Sequence, residues 1–222
     1  MIVESRFCMN IAQATINEMM SWREGDRMQQ AYTAPARPAK LSTMIENRPF
    51  LLILQHPQEK RQALSTAAEI TATVANAKVS IGLSWPNLSR ALGGEADPGR
   101  WGVLYLGSAR PRVDREIIAL DRRGEPIDGV PVLRRLNGIV LIDGTWSQAK
   151  ALWWRNPWLL KLQRLVLNPA RPARYGKIRR EPRREALSTI EAAAIVLRHA
   201  EAGGEAADAL LAGLDRLIAS VR

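Results

Sequence analysis

Two short runs of uninterrupted apolar residues constrain this chain more than any other feature. Phe50-Leu51-Leu52-Ile53-Leu54 and Ile139-Val140-Leu141-Ile142 hold no polar side chain, and each leads straight into polar residues. A strand with one face in water alternates apolar and polar positions. A run that is apolar at every position must be covered on both faces, which is the environment of a parallel sheet. Further strands are expected at Val79–Leu83, at Trp101–Leu106 and at Leu165-Val166-Leu167. A helix is expected at about 63–77, another from Thr145 to Trp154 closed by Asn156-Pro157, and two alanine-rich helices split by Gly203-Gly204. Strands alternating with helices predict an α/β fold, a mostly parallel sheet with helices on both faces. Residues 108–137 are rich in Arg, Pro and Gly and read as turns.

Residues 1–48 look separate from that unit. Ile11, Ile16, Met19, Met20 and Met28 recur at roughly helical spacing within a helix expected at 8–31, and Ala34-Pro35-Ala36-Arg37-Pro38 forms a stiff linker. The division is an N-terminal helical extension at 1–48 and a main domain at 49–222. With 222 residues, 46% of them hydrophobic and 24% charged, the chain can bury a full core.

Several function classes fall at once. Cys8 is the lone cysteine and His56 and His199 are the two histidines, so neither a disulfide nor a multi-Cys or multi-His metal site is expected. No run is long enough to span a bilayer and no signal peptide is visible, which favours the cytoplasm. The net charge of +10 points to a polyanionic partner. Most of it sits at 161–184, where nine cations face Glu181 alone, a net +8. Arg171, Arg174, Lys177, Arg179 and Arg180 surround Tyr175-Gly176, and prolines hold the segment extended. Basic charge interleaved with an aromatic suits an RNA backbone and an unstacked base.

Ligands of open α/β sheets sit outside the carboxyl ends of strands. There, Asp143-Gly144-Thr145-Trp146 is the sharpest candidate. Asp143 can accept a proton or orient a ligand, Gly144 permits close approach, and Thr145 can cap the next helix. Trp146, Trp153 and Trp154 share one helix face, a spacing more usual for core packing than for a substrate platform. His56-Pro57-Gln58-Glu59 offers a possible His/Glu metal pair, but a loop His satisfying backbone groups, with Glu59 in solvent, is the better reading. Gly107-Ser108-Ala109-Arg110-Pro111-Arg112 could cradle an anion but matches no phosphate-loop spacing.

Four stretches in order resemble the DTW-domain family, the tRNA-uridine aminocarboxypropyltransferases. They are Leu54-Gln55-His56-Pro57-Gln58-Glu59 with Ser65-Thr66; Tyr105-Leu106-Gly107; Asp143-Gly144-Thr145-Trp146 with Ala149; and Asn168-Pro169, Tyr175-Gly176 and Leu187-Ser188-Thr189-Ile190-Glu191-Ala192. The resemblance covers about residues 50–200. It implies a SPOUT-like fold with a C-terminal trefoil knot, and S-adenosylmethionine as cofactor. It implies cofactor binding by Thr66, Leu106, Gly107, Asp143, Trp146, Leu167, Leu187 and Thr189, with Asp143, Thr145 and Trp146 catalytic. The basic segment would hold tRNA, and the aminocarboxypropyl group would go to N3 of a uridine, in the variable loop by resemblance to bacterial members. Aminocarboxypropyl relatives look monomeric. Many members carry an N-terminal Cys cluster that looks metal-binding; here Cys8 alone stands in that region, so no metal is expected. The alternatives are a SPOUT-type RNA methyltransferase and a non-catalytic RNA-binding module, with a His56/Glu59 metal hydrolase behind both.

Overall fold

The computed structural model describes residue 45 and residues 48–59, 66–104, 115–169, 187–200 and 204–220. The expected helix at 8–31, its linker, Cys8, Leu106, Gly107, the 107–112 loop and the basic residues from Arg171 to Arg184 lie outside them.

Both apolar runs are buried strands. β1 is Phe50–Gln55 and β6 is Gly138–Asp143, and Leu51 to Leu54 and Ile139 to Leu141 are all buried. They pair in parallel, Leu51 opposite Ile139 and Gln55 opposite Asp143. β2 (Ala77–Ile81), β3 (Trp101–Leu104), β4 (Ile117–Leu120), β5 (Pro126–Asp128) and β7 (Gln163–Leu167) complete the sheet. Among the described residues its order is β2-β1-β6-β3-β7-β4-β5. The first five strands are parallel; β4 runs antiparallel to β7 and to β5.

Side-chain alternation divides the core. Leu51, Ile53, Ile139 and Leu141 face one layer, made by α1 (Thr66–Thr73), α3 (Gly129–Leu133), α5 (Thr189–Ala200) and α6 (Glu205–Ala219). Leu52, Leu54 and Val140 face the other, with α2 (Leu88–Leu92), Trp101, and Trp158 and Leu159 of a 3-10 turn. α4 (Trp146–Arg155) joins this second layer through Trp153. Helices therefore cover both faces, as the apolar runs require.

The expected strand at 79–83 lies two residues earlier, at Ala77–Ile81: the Gly82 N–H makes a last bond to β1, donating to the Gln55 carbonyl, and the Leu83 carbonyl is held by buried Asn156 instead of a strand. The helix expected at 63–77 is shorter, Thr66–Thr73 among described residues. The main correction concerns 108–137. Within it, Ile117 to Leu120 is a fully buried internal strand. Gly124, with φ +85°, closes a hairpin in which the Asp121 carboxylate accepts from the Arg123 and Glu125 N–H groups. The turn residues mark a hairpin; the four-residue strand beside them is too short to show a period.

Ile45 forms a parallel bridge with Val74, accepting from the Ala75 N–H and donating to the Thr73 carbonyl. No described helix is long and apolar enough to cross a membrane.

Candidate active site

The strand order makes a crevice. β1 leads through α1 leftward to β2, whereas β6 leads through α4 past β3 to β7. Adjacent strands whose crossovers part in opposite directions leave a gap at their carboxyl ends, the usual ligand position in such sheets. Gln55 ends β1 there and Asp143 ends β6.

Asp143 is the centre of this place. It is 8% exposed. Alternation from Ile139 and Leu141 sends its side chain toward the layer that holds α5. The Gln55 Nε2–H donates to Asp143 Oδ2 at 2.8 Å, and the Thr189 hydroxyl donates to Oδ1 at 2.5 Å. The His56 N–H also donates to the Asp143 carbonyl, at 3.0 Å. These two side-chain bonds, one to each carboxylate oxygen, fix the orientation of the Asp143 side chain.

Thr189 reaches Asp143 because its neighbours fix the start of α5. Ser188 caps the helix: its hydroxyl accepts from the Glu191 N–H, and the buried Glu191 carboxylate accepts from the Ser188 N–H at 3.1 Å and hydroxyl at 2.6 Å. This is a reciprocal capping box. In Leu187-Ser188-Thr189-Ile190-Glu191, the Ser and Glu hold the helix end and Thr189 points to the site.

A second box starts α4. Thr145 accepts from the Gln148 N–H, and the Gln148 side-chain oxygen accepts from the Thr145 N–H at 2.7 Å. The Gln148 amide also donates to Gln58 at 3.1 Å, tying this loop to the one after β1. Gly144 needs no special φ. A Cβ there would stand 3.0 Å from the Gln148 Cβ, so glycine leaves room for that side chain.

The tryptophan stripe of α4 does not pack as a core face. Ala149 and Leu152 are the buried residues of this helix. Trp153 packs on its edge, Trp154 is 44% exposed, and Trp146 is half-buried with the Lys150 ammonium 5.6 Å from its ring centroid. Glu59, expected in solvent, is 6% exposed. Its N–H donates to the His56 carbonyl, so the chain folds back as a turn and carries the side chain inward. His56 is half-buried, and its Nδ1 accepts from the Gln58 N–H at 3.3 Å, so the proton of the neutral ring is on Nε2. Burial holds His56 below its ordinary pKa. The Glu59 charge opposes that shift and the Arg155 charge adds to it.

Of the expected residues, Asp143 and Thr189 are in contact, and Thr145 and Trp146 follow Asp143 along the chain. Thr66 is buried at the first position of α1. Leu167 and Leu187 are half-buried at the end of β7 and just before α5. Leu106, Gly107, Arg171, Arg174, Tyr175, Lys177, Arg179 and Arg180 lie outside the described residues. Sequence reasoning missed Gln55 and Gln148. The signal for Gln55 was present: a polar residue in phase with Leu51 and Ile53 shares their face, and parallel pairing brings it level with Asp143. No group of three or more His, Cys, Asp or Glu among the described residues could hold a metal ion.

The DTW domain model matches residues 28–222. Proteins named tRNA-uridine aminocarboxypropyltransferase 2 from Macaca fascicularis and Mus musculus are each 29% identical over 189 residues, 82% of this chain and 56% of theirs. The protein of that name from Drosophila melanogaster is 31% identical over 175 residues, 75% of this chain and 62% of its own. The chain thus spans between 56% and 62% of these curated relatives. No solved structure matches.

Proposed function

Because the chain belongs to the DTW domain family, we propose that it is a tRNA-uridine aminocarboxypropyltransferase. It moves the 3-amino-3-carboxypropyl group of S-adenosylmethionine to N3 of a uridine in tRNA, in the variable loop. What carries this reading is the family match together with a buried, doubly held carboxylate, Asp143, at the crevice between β1 and β6. The residues there fit such a donor: a carboxylate oriented at the carboxyl end of β6 accepts from hydroxyl or ammonium groups. S-adenosylmethionine, when bound, supplies an electrophilic γ-carbon beside a sulfonium that leaves as neutral methylthioadenosine.

The protein supplies aim and a proton acceptor. Uridine N3 is a poor nucleophile while protonated, and Asp143 accepts or orients that proton. Gln55 and Thr189 hold the carboxylate in one rotamer. Thr145 fixes the loop through its capping box, and Trp146 walls the pocket. Thr66 stands at the methionine end, and Leu106, Gly107, Leu167 and Leu187 border the adenosine. Arg171, Arg174, Lys177, Arg179 and Arg180 hold tRNA phosphates, with Tyr175 available for stacking. A SPOUT-like topology with a trefoil knot, catalysis within 49–222 and a monomeric state belong to the same reading. The mostly parallel sheet and the contact between α5 and the end of β6 support the first of these.

The deciding experiment offers the chain tRNA with S-adenosylmethionine labelled either in the methyl or in the carboxyl carbon. Carboxyl label entering RNA is the expected result. Methyl label would make the chain a methyltransferase, and neither label would leave an RNA-binding module.

A further inference from the structure

The opposite end of the sheet carries a second basic site that no linear charge run reveals. Arg48 precedes β1, Arg100 precedes β3, and Arg134 and Arg135 follow α3 just before β6. Sheet register gathers them. Gly138 pairs with both Phe50 and Trp101, the Phe50 N–H donates to the Asn137 carbonyl, and the Asn137 N–H donates to the Arg100 carbonyl. Three segments far apart in sequence therefore start at one place. They line a cavity of about 470 Å³ with Arg48, Arg100, Arg134, Arg135, Asn76 and Asn137 among its walls and no carboxylate among the described lining residues.

The guanidinium groups are braced by neutral acceptors. Arg134 Nε–H donates to the His199 carbonyl at 3.2 Å, and Arg135 Nε–H to the Pro131 carbonyl at 3.1 Å. An Arg100 terminal nitrogen donates to Asn137 Oδ1 at 3.5 Å. Among the described residues no acid pairs with Arg100, Arg134 or Arg135. Anchored at Nε, Arg134 and Arg135 keep their terminal N–H groups for another acceptor, and planar forks of this kind match phosphate oxygens. Arg100, Arg134 and Arg135, held together with no acid paired to them among the described residues, repel one another, a cost that an anionic ligand removes.

We propose that this pocket binds backbone phosphates of the RNA substrate, a second anchoring point at the amino ends of the strands. It stands about 20 Å from Asp143, the length of a six-residue strand. The identity of the RNA as tRNA rests on the function proposed above; the phosphate chemistry does not. A folded RNA much longer than that distance can engage both ends of the sheet.

The test measures tRNA affinity of the full chain at several salt concentrations. Each phosphate contact contributes about 0.7–0.9 to the slope of log K against log salt. Arg134→Gln/Arg135→Gln is expected to flatten the slope by about 1.4–1.8, and Arg134→Lys/Arg135→Lys to keep it. If the double Gln variant melts early, Arg100→Gln is scored alone, with about half the change. An unchanged slope in a folded variant overturns the proposal. Pyrophosphate is titrated in parallel. If it protects wild type but not the variant while the slope stays unchanged, the pocket serves a free phosphate compound and the RNA contact is overturned. Slope loss without any label transfer would keep this site and remove the enzymatic reading instead.

Discussion

At the scale of single residues, the surroundings of Asp143 decide how its proposed role as proton acceptor should be tested. Replacement by Ala leaves the Gln55 amide and Thr189 hydroxyl without their acceptor, and an unmet buried polar group costs about 1–3 kcal/mol. Asp143→Asn keeps the shape and removes the charge. Transfer of carboxyl label is expected to fall about 10²- to 10⁴-fold, the usual range for loss of a general base, with tRNA affinity unchanged. Wild-type transfer by this variant would take Asp143 out of the reaction. Thr189→Ser keeps the hydroxyl and should retain activity and melting temperature, whereas Thr189→Val removes the donor to the buried carboxylate and should lower both. His56 gives a prediction with a sign. Its pKa is lowered in the folded chain, so between the folded value and the unfolded value of about 6.5 the unfolded state binds more protons. Stability from this group is present above about pH 6.5 and is lost as pH falls through the folded pKa. Melting temperature followed from pH 8 to pH 5 should therefore drop on the acid side, by less in His56→Asn. Asp143 stood out in the sequence because it ends an uninterrupted apolar run. Gln55 did not, because its importance exists only once β1 and β6 lie side by side.

At the scale of elements, caps and glycines hold the site in place. Thr145→Ala removes one half of the box that starts α4, and Ser188→Ala one half of the box that starts α5. Each should cost about 1 kcal/mol in urea unfolding, and Ser188→Ala should also lower transfer by loosening Thr189. Two glycines at the strand starts work through space. A Cβ on Gly138 would stand 2.5 Å from the Trp101 ring, and one on Gly102 would stand 2.8 Å from Leu136. Gly138→Ala should destabilise by about 1–3 kcal/mol, and Trp101→Leu in the same chain should recover part of that loss, since the two sites share one contact. The caps were readable as Thr-x-x-Gln and Ser-x-x-Glu ahead of apolar helices. The glycine contacts were not, because they join residues that only the sheet brings together. β4 was missed for a related reason: four apolar residues between arginine-rich segments have no period to display. Trp146, Trp153 and Trp154 misled in the other direction. They share a helical face, but the smaller Ala149 and Leu152 face the sheet.

At the scale of the whole molecule, the parallel order and the two helical layers follow from two apolar runs that must be covered on both sides. Charge is less linear than the fold. The sequence places a net +8 at 161–184, yet folding assembles another cluster from Arg48, Arg100, Arg134 and Arg135. Neutralising cations in both regions should lower the salt slope of tRNA binding additively, because the contacts are separate; a sub-additive result would mean that they serve the same phosphates. Among the described residues, β5 is the outermost strand beyond β4. A sheet's last strand exposes a row of unpaired peptide groups on which another chain could build. Here that strand is three residues long, opens with Pro126, and ends with Asp128 paired to Arg115. Its middle residue, Ile127, is 42% exposed. Proline withholds a donor and the ion pair keeps charge at the border, so the antiparallel hairpin ends a parallel sheet in a rim that discourages edge-to-edge aggregation.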